Sequence, residues 1–361
     1  MLDDAVKAVL GQIRSGSISP EEGQRRLLAL RSSSSSGEPT SKPSPEPGFR
    51  AVVITRPGGL DDLLVREVEA REPAEGEVVV DVRAFSLNFG DLLCLKGLYP
   101  TMPEYPFTPG FEFSGEVRRV GAGVRRLRVG DAVIGISGPT MGAQSATITV
   151  HERAVVLKPA GVSFEEACAF PVVFMTMRRA FDIAALRRGD TILIQSAAGG
   201  TGLVGVQLAQ SIGAEVFATA GSAEKLEYLA RMGVRHLVNY RTENFESRLR
   251  DMTGGRGLDV VVNTLSGEDA RKSLNLLAPG GRYVELAMTR IKSASRLDLS
   301  RLVDNQSIHS LDLRKLLLRD PSRIPDYLGD MAEVLARGEI KPTVGLVFPF
   351  DRIREAYRTL E

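Results

Sequence analysis

Apolar and polar positions divide the chain into two kinds of stretch. Between Thr191 and Arg241, apolar runs alternate with helical patterns. Thr191 to Gln195 is an apolar run, Leu203, Val204, Val206, Leu208, Ala209 and Ile212 recur at helical spacing, and Val216 to Ala220 is a second run. A short apolar run predicts a buried strand, and the i, i+3, i+4 recurrence predicts a helix packed on it. The same alternation continues with strands expected over Leu258–Asn263, Arg282–Leu286 and Ile308–Leu313, and a helix over Asp326–Arg337. Towards the N-terminus the runs are shorter and broken by Gly and Pro: Arg50–Ile54, Leu63–Val68, Glu77–Ala84, Ser86–Leu93, Lys96–Pro100, Thr108–Val117 and Val129–Gly135. Many brief strands of this kind predict an irregular, barrel-like β domain. The pattern changes to longer helices near Ala167.

The first residues read differently. Leu2, Val6, Val9, Leu10 and Ile13 share one helical face, and Ser19-Pro20-Glu21-Glu22 reads as N-cap, N1 proline and capping box for a short second helix through Leu27, Leu28 and Leu30. Ser32 to Pro47 is rich in Ser, Pro and Gly and has nothing to build a core, so a disordered linker is expected. Residues 1–48 are therefore expected as a helical segment and linker, either a spacer from a longer polypeptide or a docking element.

The turn between the first two runs carries the first candidate chemistry. The turn Ser196-Ala-Ala-Gly199-Gly200-Thr201-Gly202 opens a motif in which Gly200, Gly202 and Gly205 spell G-x-G-x-x-G after a strand and at the opening of a helix. Such a turn lets backbone approach a pyrophosphate, and the helix N-terminus offers free N–H groups and a favourable dipole. An ordinary glycine turn has the same composition, and the flanking strand–helix–strand pattern is what favours a dinucleotide. An NAD site carries an acid at the end of the second strand. Here the strand runs into Gly221-Ser222-Ala-Glu224-Lys225. A carboxylate at the strand end would repel a 2′-phosphate, whereas Ser222 and Lys225 can bind one. Tyr240 and Arg241 add a donor and a cation. The pattern predicts NADPH.

Composition narrows the picture further. Among 361 residues, 46 basic groups balance 45 acidic ones, so no nucleic-acid or membrane surface is expected. No apolar run reaches the ~18 residues of a spanning helix, and the acidic start Met1-Leu2-Asp3-Asp4 lacks a signal pattern. Cys94 and Cys168 form no metal spacing and read as buried thiols in a reducing compartment, which points to the cytoplasm. His151, His236 and His309 are scattered and read as structural.

Asn88-Phe-x-Asp91, Pro109-Gly110-x-Glu112-x-x-Gly115, Val129-Gly130-Asp131 and Ala197-Ala-Gly199-Gly200-x-Gly202 together resemble the medium-chain dehydrogenase/reductase superfamily. Asn239-Tyr240-Arg241 and Gly280-Gly281-Arg282 resemble its zinc-independent, quinone-reductase-like branch, in particular the enoyl reductase domains of polyketide and fatty-acid synthases. The resemblance covers residue 49 to the end. It implies an α/β fold with a GroES-like β-rich catalytic domain over 49–171, a Rossmann NADPH-binding domain over 172–315 and a C-terminal part of the catalytic domain over 316–361. The active site would lie in the cleft between them. The family runs on past a segment like Phe350–Leu360 into one more strand, so the stop at Glu361 suggests a boundary cut short or a fragment of a larger polypeptide.

The resemblance also implies site residues. Gly90 and Phe111 stand where zinc-dependent relatives have Cys and His, so no metal is expected. Without one, the implied reaction is NADPH-dependent reduction of an α,β-unsaturated thioester carried by the phosphopantetheine of an acyl carrier protein, among other synthase domains. Tyr99 is the implied proton donor, with a packed turn tyrosine as the alternative. Asp312 matches the aspartate that partners a family lysine, and that lysine is replaced by Met288; Lys292 or Lys315 could supply a cation instead. Asn88, Thr176, Gly199, Gly200, Thr201, Gly202, Ser222, Lys225, Tyr240, Asn263 and Leu265 form the implied cofactor site. Asp91 either joins them or caps a helix. Glu285-Leu-Ala-Met288-Thr, Leu297-Asp298-Leu-Ser300 and Asn305-Gln306-Ser307 resemble a subset from β-branching modules, one relative of which closes a cyclopropane ring on a γ-halo substrate. A quinone or alkenal reductase and a non-catalytic NADPH-binding scaffold are the other readings. Oligomeric state is open.

Overall fold

A computed structural model describes residues 48–69, 71–286 and 302–361, together with Gln12, Ser17, Ser19 and Glu22. The expected N-terminal helices and linker lie almost wholly outside the described residues, as do Met288, Lys292 and Leu297–Ser300.

Two sheets organise Gly48–Glu361. The first is antiparallel and five-stranded, in the order β6-β3-β4-β5-β7, built from β3 (Glu77–Phe85), β4 (Glu112–Val120), β5 (Ala132–Ile136), β6 (Thr147–His151) and β7 (Val155–Leu157). A hairpin of β1 (Phe49–Ile54) and β2 (Leu63–Val68) lies beside it, bridged through Ala51 to Ser145 and Ile54 to Phe107. The strands alternate or run apolar inwards: Val78, Val80, Phe113, Val133 and Ile134 are fully buried. Side chains of this size each contribute ~1.5–3 kcal/mol when removed from water.

The second sheet is parallel, with order β10-β9-β8-β11-β12-β13 among the described residues. It comprises β8 (Thr191–Ile194), β9 (Glu215–Ala220), β10 (His236–Asn239), β11 (Leu258–Asn263), β12 (Leu277–Glu285) and β13 (Ser307–Ser310). Numbered from β8, this is the 3-2-1-4-5-6 order of a doubly wound nucleotide fold, whose ligands lie where β8 and β11 diverge. Both faces are covered, so the strands are runs of Val, Ile and Leu rather than alternations.

Three expected strands need correction. Short strands are expected over Ser86–Leu93 and Lys96–Pro100, but Phe89–Leu95 is a helix, α1, and Lys96–Pro100 is the turn that follows it. Asn88 is the N-cap of α1, and the Asp91 carboxylate accepts from the Asn88 backbone N–H at 2.8 Å. That reciprocal cap satisfies donors that a strand would have left to a neighbour. The expected strand over Ile308–Leu313 ends at Ser310, because Asp312 caps a helix over Leu313–Arg319 by accepting from the Lys315 N–H at 2.9 Å. Elsewhere, helices α2 (Phe164–Cys168), α3 (Pro171–Ile183), α4 (Gly200–Ile212), α5 (Ala223–Arg231), α6 (Phe245–Met252), α7 (Glu268–Leu274), α8 (Leu313–Arg319), α9 (Ile324–Ala336) and α10 (Ile353–Leu360) follow in order.

Candidate active site

The cleft is assembled from strand ends and helix starts of both sheets. A cavity of about 700 Å3 lies within it. Asn88, Tyr99, Thr176, Gly199, Gly200, Thr201, Gly202 and Asp312, all singled out in the sequence, line this cavity together. A second groove of about 890 Å3 shares Asn88, Phe89, Gly199, Gly200 and Thr201 with it. The α4 turn is thus open from both sides.

The turn itself separates two kinds of glycine. A Cβ on Gly202 would sit 2.6 Å from the Ala197 backbone, so packing of the turn against the helix forbids any side chain there. A Cβ on Gly199 or Gly200 would meet nothing nearer than 3.4 and 3.6 Å. Their bareness is not demanded by the protein, and it leaves a cradle that a side chain would fill. Gly199 is the N-cap of α4 and makes no side-chain cap. The first N–H groups of α4 therefore face the cleft without a capping acceptor, as a phosphate requires.

At the carboxyl end of β9, a Cβ on Gly221 would lie 2.9 Å from the Tyr240 hydroxyl and 3.0 Å from Arg241 Nε. Both side chains thus fold over the turn that carries Ser222. Ser222 caps α5 by accepting from the Lys225 N–H at 3.4 Å, which leaves its own hydroxyl proton to be donated. Among the described residues, neither Lys225 nor Arg241 is in an ion pair. Ser222, Lys225 and Tyr240 lie outside both cavities, at the far end of the β9 turn.

Asn263 is fully buried, and its amide donates to the Leu265 carbonyl at 2.7 Å and to Glu285 at 2.9 Å. It shapes the turn after β11 and lines neither cavity. Leu265 is held by that amide, and Thr264 is the residue of this turn that reaches the cavity.

Asp91 and Glu112 form the buried floor beside Asn88. Glu112 accepts from Ser86, from Asn88 Nδ2 at 2.8 Å and from the Val172 N–H at 2.6 Å, tying β4 to the start of α3. Asp91 accepts from the Asn88 and Gly110 N–H groups. This resolves its two readings in favour of the cap. Burial pushes Asp91 up to about 8, with the Glu112 charge adding to it. Burial raises Glu112 as well. Gly90 and Phe111 do come together: a Cβ at Gly90 would lie 2.8 Å from the Phe111 ring. An aromatic ring fills the place where a ligand pair would stand. Among the described residues no three His, Cys, Asp or Glu side chains converge on one point.

Tyr99 packs edge-on against Phe111, with centroids 5.2 Å apart. Burial raises its hydroxyl above the usual range, the Asp312 carboxylate adds to this, and the Arg314 guanidinium opposes it. The hydroxyl stays a donor across ordinary pH. Thr176 donates to the Val172 carbonyl at 2.7 Å, so towards the cavity it offers an acceptor. Sequence reasoning missed Gln195, Phe111 as a wall, the Ile136–Pro139 segment, Leu317 and Arg314, all of which line the cavity. An arginine two places into a helix has no sequence mark that separates it from a solvated one.

Comparison with known proteins decides the family. Residues 74–161 match the alcohol dehydrogenase GroES-like domain, and residues 200–332 match the zinc-binding dehydrogenase family. The crystal structure of CurK enoyl reductase superposes with a TM-score of 0.79 at 32% identity, over 87% of this chain and 96% of that one. The chain belongs to the medium-chain dehydrogenase/reductase family. This dehydrogenase/reductase is similar at 31% identity and TM-score 0.78 to the CurF ER cyclopropanase of the curacin A pathway, over 87% of this chain and 96% of that one. It is similar at 26% identity and TM-score 0.76 to the Escherichia coli quinone oxidoreductase complexed with NADPH, over 86% and 96%. Among curated proteins, it is 34% identical over 310 residues to the mycocerosic acid synthase-like polyketide synthase of Mycolicibacterium smegmatis. That match takes in 86% of this chain and 15% of the synthase. The reductase therefore spans about one seventh of such a relative. No helix among the described residues is long and apolar enough to cross a membrane.

Proposed function

We propose that this protein is an NADPH-dependent enoyl reductase acting on the α,β-double bond of an enoyl thioester carried by an acyl carrier protein, within a polyketide synthase. The observation that carries the reading is the pairing, in one apolar cavity, of a bare glycine cradle at a helix N-terminus with a partly buried tyrosine.

Gly199, Gly200, Thr201 and Gly202 would hold the pyrophosphate through backbone N–H groups. Ser222, Lys225, Tyr240 and Arg241 would hold the 2′-phosphate, each as a donor. Asn88 and Thr176 line the cavity and would border the nicotinamide end, Thr176 through its hydroxyl; the Asn88 amide N–H groups are donated to Ser86 and Glu112. The chemistry such a cofactor supplies is hydride, taken up at the β-carbon of an activated C=C bond. Charge then gathers on the thioester oxygen and the α-carbon as an enolate. Tyr99 lines that cavity and would donate its proton to the α-carbon; burial keeps the hydroxyl protonated while making it a weaker acid than a free phenol. Phe111, Met175, Leu311 and Leu317 give the cavity an apolar wall, against which a bound substrate would displace water. Asp312 is committed as a helix cap, so its part is to place α8 and to bias Tyr99 electrostatically.

The test is turnover. NADPH oxidation with crotonyl pantetheine thioester, and none with a benzoquinone, supports the reading. Turnover of quinone alone favours a free-standing quinone reductase. A γ-chlorocrotonyl thioester giving a cyclopropane rather than the saturated chloride would place the chain with the ring-forming relatives.

A further inference from the structure

Arg314 is a charged group in the cavity for which the reaction above has no use. It lies in the first turn of α8, two residues after the cap Asp312. Its guanidinium reaches away from the parallel sheet. Nε donates to the Thr101 carbonyl at 3.2 Å, Nη1 to the Gly138 carbonyl at 3.1 Å, and Nη2 to the Pro139 carbonyl. Among the described residues it has no carboxylate partner within ion-pair distance. Burial lowers its pKa, and three carbonyl dipoles face the charge.

The three carbonyls belong to two loops of the antiparallel-sheet side. One follows α1 and contains Tyr99; the other follows β5. Before Tyr99, the Leu98 N–H donates to Leu93 at 2.7 Å; after it the Met102 N–H reaches Tyr99 at 3.4 Å, and the Tyr105 hydroxyl donates to the Cys94 carbonyl at 2.8 Å. Among the described residues the buried Thr101 hydroxyl has no partner. Those bonds tie the loop to its own side of the cleft, and Arg314 ties it through Thr101 to α8.

We infer that Arg314 is a positioning residue that straps the Tyr99 loop and the Gly138–Pro139 loop to α8, so that the Tyr99 hydroxyl meets one face of the enolate. This rests on the enoyl reductase reading. In the step concerned, the enolate's electron pair forms a C–H bond at the α-carbon with the Tyr99 proton, the thioester C=O re-forms, and water returns a proton to the phenolate. A planar fork with five donors serves three carbonyls at fixed angles; an ammonium cannot. The side chain acts through Tyr99, so its loss moves where the proton lands rather than how tightly the cofactor binds.

The experiment uses the full chain with an α-methyl crotonyl pantetheine thioester and NADPH, and reads the configuration of the 2-methylbutyryl product by chiral chromatography. Arg314→Ala and Arg314→Lys should each give a mixture at the α-carbon with kcat lowered about 100-fold, the scale of an ångström's misplacement. NADPH Kd, read by fluorescence, should stay within about twofold of wild type, because the strap is remote from the phosphates. Added guanidinium should partly restore single-face protonation to Arg314→Ala but not to Arg314→Lys. A variant that keeps one product configuration and wild-type kcat overturns the strap. So does a parallel loss of thermal stability, NADPH binding and turnover with configuration retained. If the wild-type protein fails to reduce the thioester at all, the enoyl reductase reading fails first.

Discussion

Tyr99 is partly buried and Asp91 wholly so, and the two answer to different measurements. Tyr99 lines the cavity, and its proton is held by burial. Tyr99→Phe keeps the edge contact with Phe111 and removes only the donor. Enoyl thioester turnover should fall roughly 100-fold, the lower range for a positioned acid, with NADPH affinity unchanged. An unchanged rate and product configuration would assign the residue to packing alone. Asp91 is pushed up to about 8 by burial and by Glu112. Its folded form keeps a proton that the unfolded chain loses near its ordinary value of ~4. The unfolded state therefore binds fewer protons between those two values, and stability falls as pH rises through that window. Melting temperature should drop from about pH 5 to about pH 8 and then level, and Asp91→Asn should flatten that slope. A slope retained in the variant would place its source elsewhere.

The glycine turn into α4 tests the element that the sequence marked first. Its four named glycines are not equivalent. Gly202→Ala drives a Cβ to 2.6 Å from backbone and should cost about 1–3 kcal/mol of stability, visible as a lower melting temperature without any ligand. Gly200→Ala meets no protein atom nearer than 3.6 Å and should melt like wild type, yet lose roughly tenfold in NADPH affinity by filling the cradle. If both variants behaved alike, the cradle would be ordinary packing. Strands and helices of the parallel sheet were legible because each is one apolar run or one apolar stripe, bounded by Gly or a cap. The helix over Phe89–Leu95 was not, because a seven-residue segment leaves too few repeats for a period and is held by the Asn88–Asp91 cap. The end of β13 was missed for a related reason: the Asp312 cap interrupts an unbroken apolar pattern.

Across the whole molecule, we propose that cofactor choice depends on residues of two successive strand ends, of which Tyr240 and Arg241 fold over Gly221. Arg241 and Tyr240 come from the turn after β10, Ser222 and Lys225 from the turn after β9. Arg241→Ala should weaken NADPH binding about tenfold or more while leaving NADH unchanged, as expected for one charge-assisted bond to a 2′-phosphate. Equal losses for both cofactors would point to a collapse of the turn. These residues were readable in sequence because β9 and β10 are successive strands with a short helix between them. Arg314 and Phe111 were not, because their neighbours in space come from stretches about 20 to 215 residues away and depend on how the two sheets meet. Asn263 is expected as a contact because it ends a strand at the ligand edge; only the fold shows that its amide donates to Leu265 and Glu285.

The most direct measurement is NADPH oxidation followed with crotonyl pantetheine thioester and, separately, with a benzoquinone, alongside mass analysis of the acyl product. Consumption of NADPH only with the thioester, giving a butyryl product two mass units heavier, is the outcome this account predicts. NADPH that binds but is never oxidised by the thioester, or is oxidised only by the quinone, would contradict it.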